Sequence, residues 1–103
     1  MKTIFVVRVI DKEKKTIGGY AQELDLPFVP TVGMRLCGGS GILWKTKDDS
    51  YINPRIEDIV YDIDEEAVFC LFEIDKLLAH AFWKEIKREN LHCSWELSRF
   101  ELD

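Results

Sequence analysis

Residues Ala67 to Ile74, Ala-Val-Phe-Cys-Leu-Phe-Glu-Ile, are apolar at both parities of an extended chain. Val68, Cys70, Phe72 and Ile74 leave one face of such a strand, while Ala67, Phe69 and Leu71 leave the other. A strand of this kind is stable only when covered on both sides, so it belongs at the centre of the core. Just upstream, Ile56 to Ile63 reads as a second strand, joined to the first by an acidic turn at Asp64-Glu65-Glu66. From Ile56 to Asp75 the chain carries eight acidic side chains and no Lys or Arg.

The remaining chain reads as further strands around this pair. Thr3 to Ile10 is β-branched and apolar on both faces, the pattern of another interior strand. Asp11-Lys12-Glu13-Lys14-Lys15 is a solvated connection, and Thr16 to Leu26 returns as its hairpin partner. Gly18-Gly19 in the returning arm predict a bulge or a close backbone approach. The prolines of Leu26-Pro27-Phe28-Val29-Pro30-Thr31-Val32-Gly33 exclude helix and set a rigid connector leading to a short strand, Met34 to Cys37. Gly38-Gly39-Ser40-Gly41 then opens a segment that reads either as a hairpin turning at Lys47-Asp48-Asp49-Ser50 or as a loop presenting Trp44 and Tyr51. Those two rings either close one end of the core or serve as exposed anchors.

Asp75 is positioned as an N-cap for a helix over about 75–89, with Leu77, Leu78, Ala81, Phe82 and Ile86 as its buried stripe and Asn90 ending it. Leu91 to Leu102 alternates as a closing strand, with a parity change near Ser98-Arg99. The expected fold is thus α+β and β-rich: a strongly bent antiparallel sheet or small open barrel, with one helix before the last strand. With 47% hydrophobic residues, 103 residues fill one core, so one domain is expected over 1–103. No apolar run approaches bilayer length and the N-terminus lacks a secretory pattern, which predicts a cytoplasmic protein without membrane contact.

The connector from Leu26 through Leu36 resembles that of small β-rich bacterial proteins, including immunity proteins encoded beside contact-delivered toxins. The resemblance implies a protein partner, a toxin domain. It transfers no functional residue.

The chemistry-bearing residues do not assemble a reaction, so no enzyme is expected. Three cysteines, Cys37, Cys70 and Cys93, lack metal-ligand spacing, fall in apolar patterns and read as core residues. His92 and Cys93 are strand neighbours and point apart; His80 with His92 would make an acid-base pair only in a setting unfavourable to phosphate. Asp62 and Asp64 are spaced to share a divalent cation but lack the other elements of a calcium loop. Gly38-Gly39-Ser40-Gly41 has neither the lysine of a phosphate loop nor the spacing of a nucleophile elbow. No cofactor and no metal are therefore expected.

A formal net charge of −5 disfavours nucleic acid, whose phosphates demand a basic surface. Concentrated on one hairpin, the same carboxylates make a field suited to a basic partner. The residues expected to carry partner binding are Asp58, Asp62, Asp64, Glu65 and Glu66, with Trp44, Tyr51 and Tyr61 as aromatic anchors. Two other functions remain open: a phage or plasmid counter-defence protein whose carboxylates imitate nucleic-acid charge, and a small enzyme or ligand-binding barrel with His80, His92 or Asp62 in a concave pocket.

Overall fold

A computed structural model of the chain describes residues 1–38, 42–79 and 82–100. Five strands form one sheet: β1 (Lys2–Ile10), β2 (Thr16–Asp25), β3 (Asp58–Asp62), β4 (Ala67–Ile74) and β5 (Lys84–Ile86). The order across the sheet is β3-β4-β1-β2-β5. β1 pairs antiparallel with β2 and parallel with β4; β3–β4 and β2–β5 are antiparallel. The sheet is mixed and open, with β3 and β5 at its edges, so the expected barrel and the purely antiparallel sheet are both corrected. The parallel pair arises because β4 returns beside β1 in the same direction, after a long connection that crosses one face.

Both central strands are covered on two sides, as their two-faced apolar pattern requires. One face carries Phe5, Val7, Tyr20, Val68, Cys70 and Phe72 under a cover of Leu43, Trp44, Ile56, Leu78 and Trp83. The opposite face carries Ile4, Val6, Ala21, Phe69 and Leu71 under Leu97 and Phe100. Trp44 and Trp83 close the first layer with ring centroids 5.2 Å apart. Their indole N–H groups donate to the carbonyls of Leu36 and Leu43, at 2.7 and 2.8 Å. Each ring thus adds apolar area while its one polar group is satisfied.

The two hairpin turns form where the charged runs predict them. Asp11 Oδ1 accepts the amides of Glu13 and Lys15 at 2.8 and 2.9 Å, and Lys14 takes the left-handed conformation that closes the turn (φ 64°). The register of β1 against β2 slips between Val9 and Ile10, opposite Gly18 and Thr16, which places the expected bulge. Gly19 supplies the close approach as well: a Cβ there would lie 2.8 Å from the Val7 carbonyl oxygen.

Arg8 is buried in β1 despite its charge. It reaches Glu73 of β4 at 3.3 Å, donates to Thr16 Oγ1 at 2.5 Å and to the Lys14 carbonyl at 3.1 Å. Parallel pairing sets Arg8 directly beside Glu73, so the ion pair follows from the register.

No α-helix occurs among the described residues, and the helix expected over 75–89 is absent. Ala81 of its stripe and His80 lie outside the described residues. The reason for the difference is where backbone groups find partners. Lys47 N–H donates to the Leu77 carbonyl and Ala79 N–H to the Lys45 carbonyl, at 2.8 and 2.9 Å. Residues 77–79 thereby pair with residues 45–47 instead of bonding four residues along a helix. Downstream, Lys84–Ile86 adds to the open edge of β2. The intended stripe is split: Leu78 packs on one face of the sheet, Ile86 on the other, and Leu77 is exposed.

The closing strand over 91–102 is likewise replaced. Two 3-10 helices, Arg88–Cys93 and Leu97–Arg99, cross the second face of the sheet. Ser94, Leu97 and Phe100 are the buried positions, spaced at the three-residue period of a 3-10 turn. The Ser94 hydroxyl oxygen accepts the Leu97 amide at 3.2 Å and starts the second turn. Residues 101–103 lie outside the described residues.

The segment 42–52 makes the expected turn, with Lys45 bridged to Tyr51 and the Asp48 carboxylate at its tip. Met34 to Cys37 is not a strand. Its start is instead pinned to the end of the 42–56 segment, Gly33 N–H donating to the Ile56 carbonyl at 2.8 Å and Ile56 N–H to that of Met34 at 2.9 Å. Two of the three expected core cysteines are corrected: Cys37 and Cys93 are exposed, Cys37 in this irregular connector and Cys93 at the end of a 3-10 helix without buried residues. Cys70 is buried, and burial pushes its thiol up to about 12, leaving it an apolar filler.

Candidate functional site

The acidic hairpin tip is built on the outer edge of the sheet. Asp62 ends β3, and its Oδ1 accepts the amides of Asp64 and Glu65 at 3.0 and 3.1 Å. This closes the four-residue turn, and Glu66 completes it in the left-handed region (φ 52°). The other carboxylate oxygen, Oδ2, receives Arg99 through Nε and Nη2, both at 2.9 Å. Arg99 itself lies over the rings of Phe69 and Trp95, 4.7 and 4.5 Å from their centroids, and donates to the Trp95 carbonyl. The guanidinium therefore fastens the C-terminal segment to the tip of the β3–β4 hairpin.

The Glu65 amide, followed by Arg99, holds the Asp62 carboxyl below the usual aspartate range, against burial, which pushes the other way. Asp48 is lowered as well, by the Thr46 hydroxyl first, then by Ser50 and Lys76. A depressed carboxyl stabilises the fold fully above its unfolded value, near 3.8, and loses that contribution as pH falls through the folded value. Between about pH 2 and 6 the wild-type melting temperature is expected to drop on the acid side. Asp62→Asn should melt lower than wild type at neutral pH and show a flatter acid limb. Parallel curves for the two proteins in thermal denaturation would contradict this linkage.

The remaining carboxylates of the tip have another character. Asp58, Asp64 and Glu66 are exposed and Glu65 is half-buried. None of the four makes an ion pair among the described residues, whereas Asp62 does. Tyr61 is 53% exposed beside them, and Ile63, inside the turn, is 79% exposed. Ile63 was not among the residues expected to bind; its signal in the sequence is an isolated large apolar residue between two aspartates at a turn.

The two other aromatic residues expected as anchors do not join this patch. Trp44 is 4% exposed and packs edge-on against Phe72 at 4.8 Å, so it is a core residue. Tyr51 is 64% exposed but sits with the 45–51 turn, which is bonded to residues 76–79 just past the end of β4. The acidic tip adjoins the start of β4. The eight residues of that strand put about 26 Å between the two regions. The patch is thus Asp58, Tyr61, Ile63, Asp64, Glu65 and Glu66, with Asp62 holding its shape.

Among the described residues no group of three or more His, Cys, Asp or Glu side chains is placed to hold a metal ion. His92 and Cys93 are both exposed, and the pairing of His80 with His92 lies outside the described residues. No helix among the described residues is long and apolar enough to cross a membrane. No protein-family model, curated protein or solved structure matches this chain.

Proposed function

We propose that this protein is a binding module that docks a basic protein partner on the β3–β4 tip, as an immunity or inhibitor protein neutralising a toxin domain would. One observation carries the reading. Asp58, Asp64, Glu65 and Glu66 make no ion pair among the described residues, and the same hairpin exposes two large apolar side chains, Tyr61 and Ile63. Unpaired carboxylates steer a cationic surface into encounter, and exposed apolar side chains supply area that is desolvated on contact. The tip is also preorganised, since Asp62 is already occupied by two backbone amides and Arg99. A partner would therefore meet a shaped surface without having to order it.

The free carboxylates gather at the turn and at the start of β3 instead of running along a row. That irregular arrangement favours a protein partner over imitation of a phosphate backbone. The open sheet leaves the alternative of a ligand-binding barrel without its architecture.

The test uses the product of the reading frame adjacent to this chain's gene and a triple variant, Asp64→Lys with Glu65→Lys and Glu66→Lys. These side chains accept no hydrogen bond among the described residues, so the fold is expected to persist. Association measured by stopped flow should slow by on the order of tenfold or more at low salt, and its salt dependence should flatten. Equal rates and equal salt slopes for wild type and variant would remove the proposal, as would absence of binding to the wild type.

A further inference from the structure

The chain holds 19 Asp and Glu against 14 Lys and Arg, yet one region of its surface reverses that balance. An open groove of about 420 Å³ lies where the 33–36 connector meets residues 53–55, and its described lining includes Arg35, Arg55, Asn53, Cys37, Met34 and Leu36. It contains no described carboxylate. Arg8 and Arg99 elsewhere are each paired with an acid. Arg35 and Arg55 make no ion pair among the described residues, and Glu57, two residues from Arg55, makes none with it.

Arg35 and Arg55 both line this groove, on two segments that the fold holds side by side. Gly33, Met34 and Ile56 are tied by the backbone hydrogen bonds described above, so the two segments cannot drift apart without breaking them. Arg55 Nη1 also donates to the Gly33 carbonyl at 3.0 Å, which orients its guanidinium and leaves its other donors available. Arg35 makes no side-chain hydrogen bond among the described residues. Guanidinium forks with open donors match the oxygens of a phosphoryl group in both charge and geometry.

A second cavity, of about 330 Å³, shares Cys37 and Asn53 with the first. Its described lining adds Trp44 and Tyr51 and again includes no carboxylate. Tyr51, 64% exposed and far from the acidic tip, lies at that end. The two cavities together offer a cationic end, a shared amide side chain at Asn53 and an aromatic end.

We infer that these adjoining cavities bind a small phosphomonoester that carries a flat ring, of the nucleoside monophosphate class. The phosphoryl group sits between Arg35 and Arg55, and the ring lies against Tyr51. This site is independent of the acidic hairpin tip and of any protein partner there.

The test titrates the full chain at constant ionic strength with adenosine 5′-monophosphate, adenosine and inorganic phosphate, followed by amide and side-chain NMR shifts. The monophosphate should bind at least about tenfold more tightly than either fragment, with shifts at Arg35, Asn53 and Tyr51. Arg35→Gln with Arg55→Gln should reduce it to the affinity of adenosine, and Tyr51→Ala to that of phosphate. All three substituted side chains are exposed, and unchanged melting temperatures identify folded variants. Equal binding of the monophosphate to wild type and to the double arginine variant overturns the inference. So does a wild-type affinity no better than that of inorganic phosphate, or shifts confined to other residues.

Discussion

Phe72→Ala is expected to lose about 3–5 kcal/mol of folding stability, the largest effect of any single substitution proposed for this protein. Phe72 is fully buried in β4, with its ring 5.5 Å from Phe5 and 4.8 Å from Trp44, both edge-on. Truncation removes the transfer free energy of a whole ring. It also leaves a cavity that the neighbours cannot easily close, because Trp44 is tied to the Leu36 carbonyl and Phe5 is fixed in the middle of the sheet. A domain of this size has a total stability on the order of 5–15 kcal/mol, so the variant sits near the edge of folding. Urea unfolding followed by tryptophan fluorescence should show a midpoint shifted well below wild type. Phe28→Ala, a ring on the surface of the connector at 42% exposure, serves as the contrast and should stay within about 0.5 kcal/mol. Similar losses for the two would mean that Trp44 and Phe5 do not enclose Phe72.

Gly19→Ala is expected to cost about 1–3 kcal/mol, an unusual penalty for adding one methyl group to a strand. The new Cβ would stand 2.8 Å from the backbone oxygen of Val7, in a central strand that cannot yield without breaking its pairing with β4. Ile86 of β5 is also within 3.6 Å, so the shift should loosen the short edge strand first. Gly18→Ala is the matched control, because a Cβ at Gly18 meets nothing within 4 Å. That change should be neutral or stabilise slightly, by restricting the unfolded chain. Chemical denaturation of the pair, with hydrogen exchange at residues 84–86, tests both the magnitude and its location. Equal effects at the two glycines would contradict the close approach of β1 and β2 at Val7.

What could be read from the residues depended on whether the signal was local or shared with a distant partner. The two-faced pattern of Ala67 to Ile74 and of Thr3 to Ile10 states how much cover each strand needs, so the two central strands were legible. Turn chemistry at Asp11 to Lys15 and at Asp64 to Glu66 is contained within a few residues and was legible for the same reason, although the part of Asp62 in closing the second turn was not. Leu78, Phe82 and Ile86 gave a helical spacing that the structure does not use, because backbone partners at Lys45 and Lys47 and an open edge on β2 take the same residues another way. The alternation from Leu91 to Leu97 misled in a similar manner, while the three-residue spacing of Ser94, Leu97 and Phe100 held the true conformation. At the candidate site, the cluster of carboxylates is visible in the chain. That Asp62 is spent on Arg99, that Trp44 is interior and that Tyr51 stands at the far end of β4 are properties of the packing.

Composition and periodicity by themselves determined a β-rich core, its two central strands, its tight turns and the gathering of negative charge between Glu57 and Asp75. Only the tertiary structure decided that β4 runs parallel to β1, that the described residues after Ile74 form a short strand and 3-10 turns in place of an α-helix, and which carboxylates make no ion pair among the described residues. The physical reason is that periodicity records which side of a segment must be buried, whereas strand direction, backbone pairing and ion pairs depend on groups far away in the chain, whose identity no local pattern contains.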